Sequence, residues 1–212
     1  MSRRLTLFGV LLASACACAA GTLEIGVRDP AGVLVGDAAV WAVPASGGSE
    51  ARGRTLEIEQ VDREFLPYVT VLQAGTGVAF PNRDPIMHHV YSFSSPKPFE
   101  IKLYTGKSPQ EVVFDKPGIV VLGCNIHDWM LAYVAVVPTP YFAKTEPGAP
   151  ARLRDLPPGV YEVHAWHPQQ KVAVPAQPVT VPAGGAPANA SFTVELQPRK
   201  AKFKPPLDRL KY

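Results

Sequence analysis

The sequence predicts an all-β protein made of many short strands, and three observations predict it. Proline (23 of 212 residues) and glycine (17) are abundant, and both interrupt helices while serving turns. Apolar and polar residues alternate with period 2 along several segments. Clusters of Asp, Pro, Gly and Ser separate those segments at short intervals. An apolar content of 47% with 18% charge belongs to a packed globular chain rather than a disordered one. The length suits one large β domain or two small ones.

The elements follow in order. Residues 1–20 open with Arg3 and Arg4, continue through an apolar run and end in small residues, the pattern of a secretory signal peptide cut after Ala19 or Ala20. The run is short for a membrane span. A lipid anchor on Cys16 is an alternative that Ala13, where a lipobox prefers Leu, weakens. The mature protein is therefore expected to be exported or periplasmic, with no membrane span. Leu23, Ile25 and Val27 alternate with polar or small residues, Asp29-Pro30-Ala31-Gly32 turns the chain, and Ala39, Trp41 and Val43 mark a second strand. Residues 46–49 are a loop. The segments Phe65 to Val71, Val78 to Phe80, Val90 to Phe93, Glu111 to Phe114, Ile119 to Leu122 and Leu131 to Val137 all read as strands. Ile119 to Leu122 is apolar throughout, so it is expected to be buried on both faces. Residues 138–150 read as a linker. Strands return over Arg152 to Leu156, Val160 to His167, Val179 to Val181 and Ser191 to Leu196. Residues 198–212 form a basic tail.

Charge and cysteine usage narrow the function. The formal net charge is +3, falling to +1 once residues 1–20 are removed; such a balance is a poor footprint for nucleic-acid binding. Cleavage also removes Cys16 and Cys18, leaving Cys124 alone. A single thiol in an oxidising compartment calls for pairing with another chain, burial, nucleophilic use or metal ligation.

The stretch Cys124-Asn125-Ile126-His127-Asp128-Trp129-Met130 places a thiol, an imidazole and a thioether at i, i+3 and i+6. It lies between two predicted strands and so forms their connecting loop. Upstream, Asn82-Arg83-Asp84-Pro85-Ile86-Met87-His88-His89-Val90 brings two more imidazoles to a loop-to-strand junction. Two His, one Cys and one Met form the ligand set of a blue-copper site. Thiolate binds copper strongly, neutral imidazole suits both oxidation states, and a long thioether bond leaves the geometry tolerant of either.

At these residues the chain resembles the cupredoxin family, over about Val61 to Val137. The ligand loop is most similar to that of amicyanins and pseudoazurins. Phe65-Leu66-Pro67, Gly75 and Val78-Ala79-Phe80-Pro81-Asn82 match the strand, turn and strand that lead to the family's first ligand. The resemblance implies one type 1 copper ion, with His88, Cys124, His127 and Met130 as its ligands. His88 and His89 compete for the first position; the fit to the segment favours His88, and alternation aims His89 at the opposite face. His89 stands where the family often has a bracing Asn. Met87, a rival thioether, is expected to line the site, and Trp129 to pack over the copper or to be core. Phe80 and Tyr133 read as core rather than relays. His164 and His167, at i and i+3 on a strand, fall on opposite faces and suggest no second metal site.

Pro157-Pro158-Gly159-Val160-Tyr161-Glu162-Val163, with Asp29 to Gly32 and Asp37 to Val40, resembles carboxypeptidase-regulatory-like, or prealbumin-like, modules. The combined expectation is a cupredoxin Greek-key β-sandwich (61–137) inserted into a second small sandwich made from 21–60 and 151–197. A single cupredoxin with strand extensions is the alternative. The function implied is one-electron transfer between partner proteins rather than enzymatic catalysis, with His127 as the exposed edge through which electrons pass. Copper delivery without redox turnover, a Cys124-nucleophile enzyme and a non-metal extracellular binding module are the competing readings.

Overall fold

The computed structural model describes residues 20–47 and 55–198. The expected signal peptide and basic tail, apart from residues 20 and 198, lie outside the described residues, as do Gly48 and Ser49 of the 46–49 loop. The described chain is all-β and contains no helix, and therefore none long and apolar enough to cross a membrane. Its strands surround two buried clusters composed of different residues.

The first cluster draws on both ends of the described chain. Strands β1 (Gly21–Arg28) and β2 (Ala39–Pro44) come early. In β1, alternation sends Leu23, Ile25 and Val27 wholly inward. In β2 the inward residues are Val40 and Ala42, while Trp41 and Val43 are half-buried.

The second cluster is built from the middle of the chain. Its strands are β3 (Thr55–Glu57), β4 (Glu59–Val61), β5 (Glu64–Leu66), β6 (Val69–Gln73), β7 (Thr76–Ala79), β8 (His88–Ser92), β9 (Phe99–Tyr104), β10 (Val112–Phe114), β11 (Gly118–Gly123) and β12 (Leu131–Val137). One five-stranded sheet runs β6-β12-β11-β8-β9, and a three-stranded sheet runs β10-β7-β3. Leu72, Val90, Leu122 and Val134 from the first meet Val78 and Phe114 from the second in one core. β4 and β5 form a separate hairpin. Leu56 and Ile58 also pack into this core, so residues 55–60, assigned by sequence to the flanking strands, are joined to the middle segment by their apolar side chains.

The remaining strands are β13 (Phe142–Lys144), β14 (Ala151–Leu156), β15 (Gly159–Trp166), β16 (Gln177–Val181) and β17 (Ala188–Thr193). β1 lies between β14 and β17, and β2 lies between β13 and β15, with β16 at the far edge. Leu153, Tyr161, Val163 and Phe192 close the first cluster around β1 and β2.

Three expectations need correction. Residues 138–150 are not a linker: β13 pairs with β2 in register Phe142 to Trp41. The prolines there conceal two buried threonines that bond to the β2 region. Thr139 donates its hydroxyl to the Ala42 carbonyl at 2.8 Å, and Thr145 Oγ1 accepts from the Ala38 N–H at 3.0 Å. Second, β11 is not buried on both faces. Val120 and Leu122 are fully buried, but Val121 is 37% exposed, because one face of the five-stranded sheet meets solvent there. Third, the strand expected over Phe65 to Val71 is two strands, interrupted at Pro67, which has no N–H to donate to a ladder.

His164 is half-buried and stacks on Trp41, with ring centroids 4.9 Å apart and planes 5° apart. His167 is buried just beyond β15, its Nδ1 accepting the Gln169 N–H at 3.1 Å. Outside both clusters, Tyr133 of β12 meets Trp166 of β15, centroids 5.6 Å apart.

Replacing Thr145 by Val should remove the acceptor for the buried Ala38 N–H. The expected loss is about 1–3 kcal/mol, a fall in melting temperature of roughly 2–4 °C per kcal/mol for a chain this size. An unchanged melting curve would mean that residues 138–150 contribute no structure. Burial holds both His164 and His167 below the ordinary 6.5. The folded state then binds fewer protons than the unfolded one, so their contribution is complete above about pH 6.5 and is lost as pH falls below it. Thermal unfolding followed from pH 7.5 to 5 should show this decline, and a His167→Gln variant should show a shallower one.

Candidate metal centre

The site is assembled by two loops that the five-stranded sheet brings together. β11 pairs with β12 from Gly118–Val136 through to Gly123–Leu131, so residues 124–130 are the loop at the end of that ladder. Gly123 also pairs with Tyr91 of β8, which places the start of β8 beside the loop. A side chain at position 123 would have to push the Tyr91 ring aside, since its Cβ would lie 2.8 Å from Tyr91 Cζ. Within the loop the Met130 N–H donates to the His127 carbonyl at 2.9 Å, closing a tight turn over residues 127–130.

Three donor atoms converge. His88 Nδ1 is 3.1 Å from His127 Nδ1, and Cys124 Sγ is 3.8 Å from the same nitrogen. All three residues are buried, and ligand atoms from the three lie within 4.8 Å of one another. Cys124 is the free thiol among the described cysteines. Met130 is 2% exposed and lies in the core cluster that includes Cys124. Two imidazole nitrogens and a sulfur so close, out of water, form a donor set suited to a metal cation. Among the described residues no other cluster of three or more such groups offers one, so His164 and His167 stay outside it.

The tautomer of His88 follows from its neighbour. His88 Nε2 lies 2.7 Å from Asp84 Oδ2. An ionised carboxylate can only accept, so Nε2 carries a proton, and in the neutral imidazole the lone pair is then on Nδ1, facing the cluster. Asp84 is well suited to remain ionised. Burial raises its pKa, but the bonds from His88 and from the Arg63 and Asp62 N–H groups outweigh it and hold the carboxyl below its usual range. His127 is pushed down to about 4, first by burial and then by the nearby His88 and Arg63. At neutral pH His127 is therefore an uncharged imidazole, the form that ligates.

The loop before His88 is braced by Asn82. Its Nδ2 donates to the carbonyls of Ile86 and Tyr104, both at 2.8 Å, and its Oδ1 accepts the Asp84 N–H at 2.9 Å. Tyr104, pushed up to about 12 chiefly by burial, donates to the Phe80 carbonyl and accepts from Gln60 Nε2.

The hairpin of β4 and β5 closes the other side. Its two turn residues, Asp62 (φ 53°) and Arg63 (φ 59°), both adopt left-handed conformations, as a two-residue type I′ turn demands. Their N–H groups donate to Asp84 Oδ1 and Oδ2 at 2.7 and 2.8 Å. The Arg63 carbonyl accepts from Trp129 Nε1 at 3.1 Å, and the Arg63 guanidinium lies 5.7 Å from the Trp129 ring centroid. Trp129 in turn packs on His127, centroids 5.1 Å apart.

This arrangement revises several site expectations. His127 is 1% exposed. It is not an exposed edge, because Trp129 and the Asp62–Arg63 turn close over that side. Met87 does not line the site; it is 53% exposed, turned outward beside the inward His88. His89 is buried away from the cluster, its Nε2 2.9 Å from Glu100 Oε1. Trp129 does pack against a cluster member, His127. Phe80 is wholly buried, and Tyr133 is half-buried with its ring against Trp166. Asp128 is exposed. An open depression lined by Tyr91, Gly123, Cys124, Asp128, Trp129, Met130 and Leu131 reaches the cluster from the thiol side. Two contributors were missed by the sequence reading: Asp84, quoted there without a role, and the Asp62–Arg63 turn. An acid four residues before His88, in a loop with room to fold back, was the available signal for Asp84.

No protein-family model matches the chain, and no curated protein matches it. Among solved structures, a copper-containing nitrite reductase from Thermus scotoductus is 25% identical over 44% of this chain, with a TM-score of 0.38; the match spans 25% of that protein's length. A purple cupredoxin from Nitrosopumilus maritimus is 21% identical over 39% of this chain and 99% of its own, at a TM-score of 0.35. An amicyanin from Paracoccus versutus is 16% identical over 45% of this chain and 91% of its own, also at 0.35.

Proposed function

We propose that the protein is an exported one-electron carrier with a type 1 copper site held by His88, Cys124, His127 and Met130. The observation that carries this reading is the convergence of His88 Nδ1, His127 Nδ1 and Cys124 Sγ in a buried pocket. Copper bound there would supply Cu(I)/Cu(II) cycling, a change of one electron.

The chain's own residues do the rest. Two neutral imidazoles and a thiolate form a donor set that both oxidation states accept, and Met130, close in sequence and buried, is the thioether that completes it. Cys124 must lose its proton to ligate. At 4% exposure Cys124 is largely shielded from solvent and oxidants, although the open depression leads to it. The ligands are carried by a paired β ladder and a braced loop, so they can hold one geometry while charge changes. With His127 closed over, a redox partner protein approaches through the depression on the Cys124 side, where Tyr91 and Asp128 stand at the rim. The flanking strands hold this module between them as a second sandwich, and residues 1–20 direct export to the periplasm or beyond.

The test is a visible spectrum of the mature protein reconstituted with Cu(II), beside Cys124→Ser. The expected result is an intense thiolate-to-copper band that bleaches with reductant and is absent from the variant. A wild-type protein that holds no copper, or holds it without that band, would overturn the reading.

A further inference from the structure

We infer that Asp84 is a positioning residue of the metal centre: its carboxylate accepts the Nε2–H hydrogen bond of His88, turns His88 Nδ1 to the metal, and by its charge biases bound copper toward the oxidised state. The inference rests on the copper reading and adds to it a residue that no ligand pattern contains.

The geometry is specific. Asp84 is 10% exposed and His88 wholly buried, and their bond is 2.7 Å. A carboxylate in so dry a place needs a reason to be there, since removing it from water is costly. Both its oxygens are used. Oδ1 accepts the Asp62 N–H at 2.7 Å, and Oδ2 accepts the Arg63 N–H at 2.8 Å as well as the His88 proton. Its own N–H is held by Asn82 Oδ1. The group is therefore fixed from three directions, and only the imidazole bond points at the donor cluster.

A turn cap alone would need the two backbone bonds and no more. The third bond gives the carboxylate a second role. A carboxylate on the far nitrogen makes an imidazole a stronger base toward a metal, and such partners are typically worth 10–100-fold in metal affinity. The gain is larger for the more highly charged ion, so Cu(II) benefits more than Cu(I). A position that accepts but carries no charge, such as Asn, can reproduce the imidazole bond and lacks that preference.

The experiment compares copper-loaded wild-type protein with Asp84→Asn. Cu(II) affinity is expected to fall 10–100-fold and Cu(I) affinity by less. Each tenfold difference between the two losses raises the reduction potential by about 59 mV. The thiolate-to-copper band should persist in the variant. A second measurement needs no substitution: nitrogen-edited NMR of the Cu(I) wild-type protein should show a slowly exchanging proton on His88 Nε2.

A folded, blue Asp84→Asn protein with unchanged potential overturns the role of Asp84 and leaves the copper reading standing. If the variant fails to fold, the wild-type spectrum decides: a proton on Nε2 supports the inference, and a proton on Nδ1 with Nε2 toward the metal overturns it. A wild-type protein without the thiolate-to-copper band removes the copper reading, and this inference falls with it.

Discussion

Three lone-pair donors crowded into a dry pocket govern the design of this protein. Two imidazole nitrogens 3.1 Å apart, with a sulfur 3.8 Å from one of them, gain nothing from each other unless a proton or a cation lies among them. Buried polar groups are tolerated only when paired. Every nearby feature can be understood as support for that crowding. The β11–β12 ladder fixes two of the residues, the start of β8 fixes the third, and Asp84 settles which nitrogen of His88 faces inward.

The Asp62–Arg63 turn ties these parts together. It holds His88 indirectly through Asp84 and the 124–130 loop through Trp129. Left-handed backbone at Arg63 is costly for a residue with a side chain, by roughly 1–2 kcal/mol. The two N–H bonds to one carboxylate offset that cost. The arrangement is mutual, because the turn stabilises the acid that stabilises the turn. It also seals His127, so the side of the centre nearest to solvent is the thiol side, past Gly123 and the Tyr91 ring.

Much of this is legible in the amino-acid sequence. Period-2 alternation marks the inward face of β1, since Leu23, Ile25 and Val27 recur at every second position. The proximity of Cys124 and His127 follows from their spacing within one short turn between paired strands. Alternation also separates His88 from His89. What escaped the sequence shares a cause: it depends on contacts between distant segments. The β4–β5 hairpin is turned by Asp-Arg, which lacks the Asn-Gly or Asp-Gly signal of a type I′ turn. β13 hides among prolines and is revealed only by its pairing with β2. The burial of His127 is decided by Trp129 and by a turn more than sixty residues upstream. The exposure of Val121 depends on what covers one face of a sheet, which an apolar run cannot specify.

The order of the strands along the chain also sets an order of completion. All the strand pairs of the sheets around the donor cluster form within residues 55–137. β1, in contrast, takes β17 as a parallel neighbour, joining residue 23 to residue 188 and residue 28 to residue 193. A chain emerging from its N-terminus therefore has every ladder of the metal-holding segment available while β1 still lacks both neighbours. The flanking layers can close like a clasp only once β17 has emerged, and removing β1 or β17 strikes the same sheet.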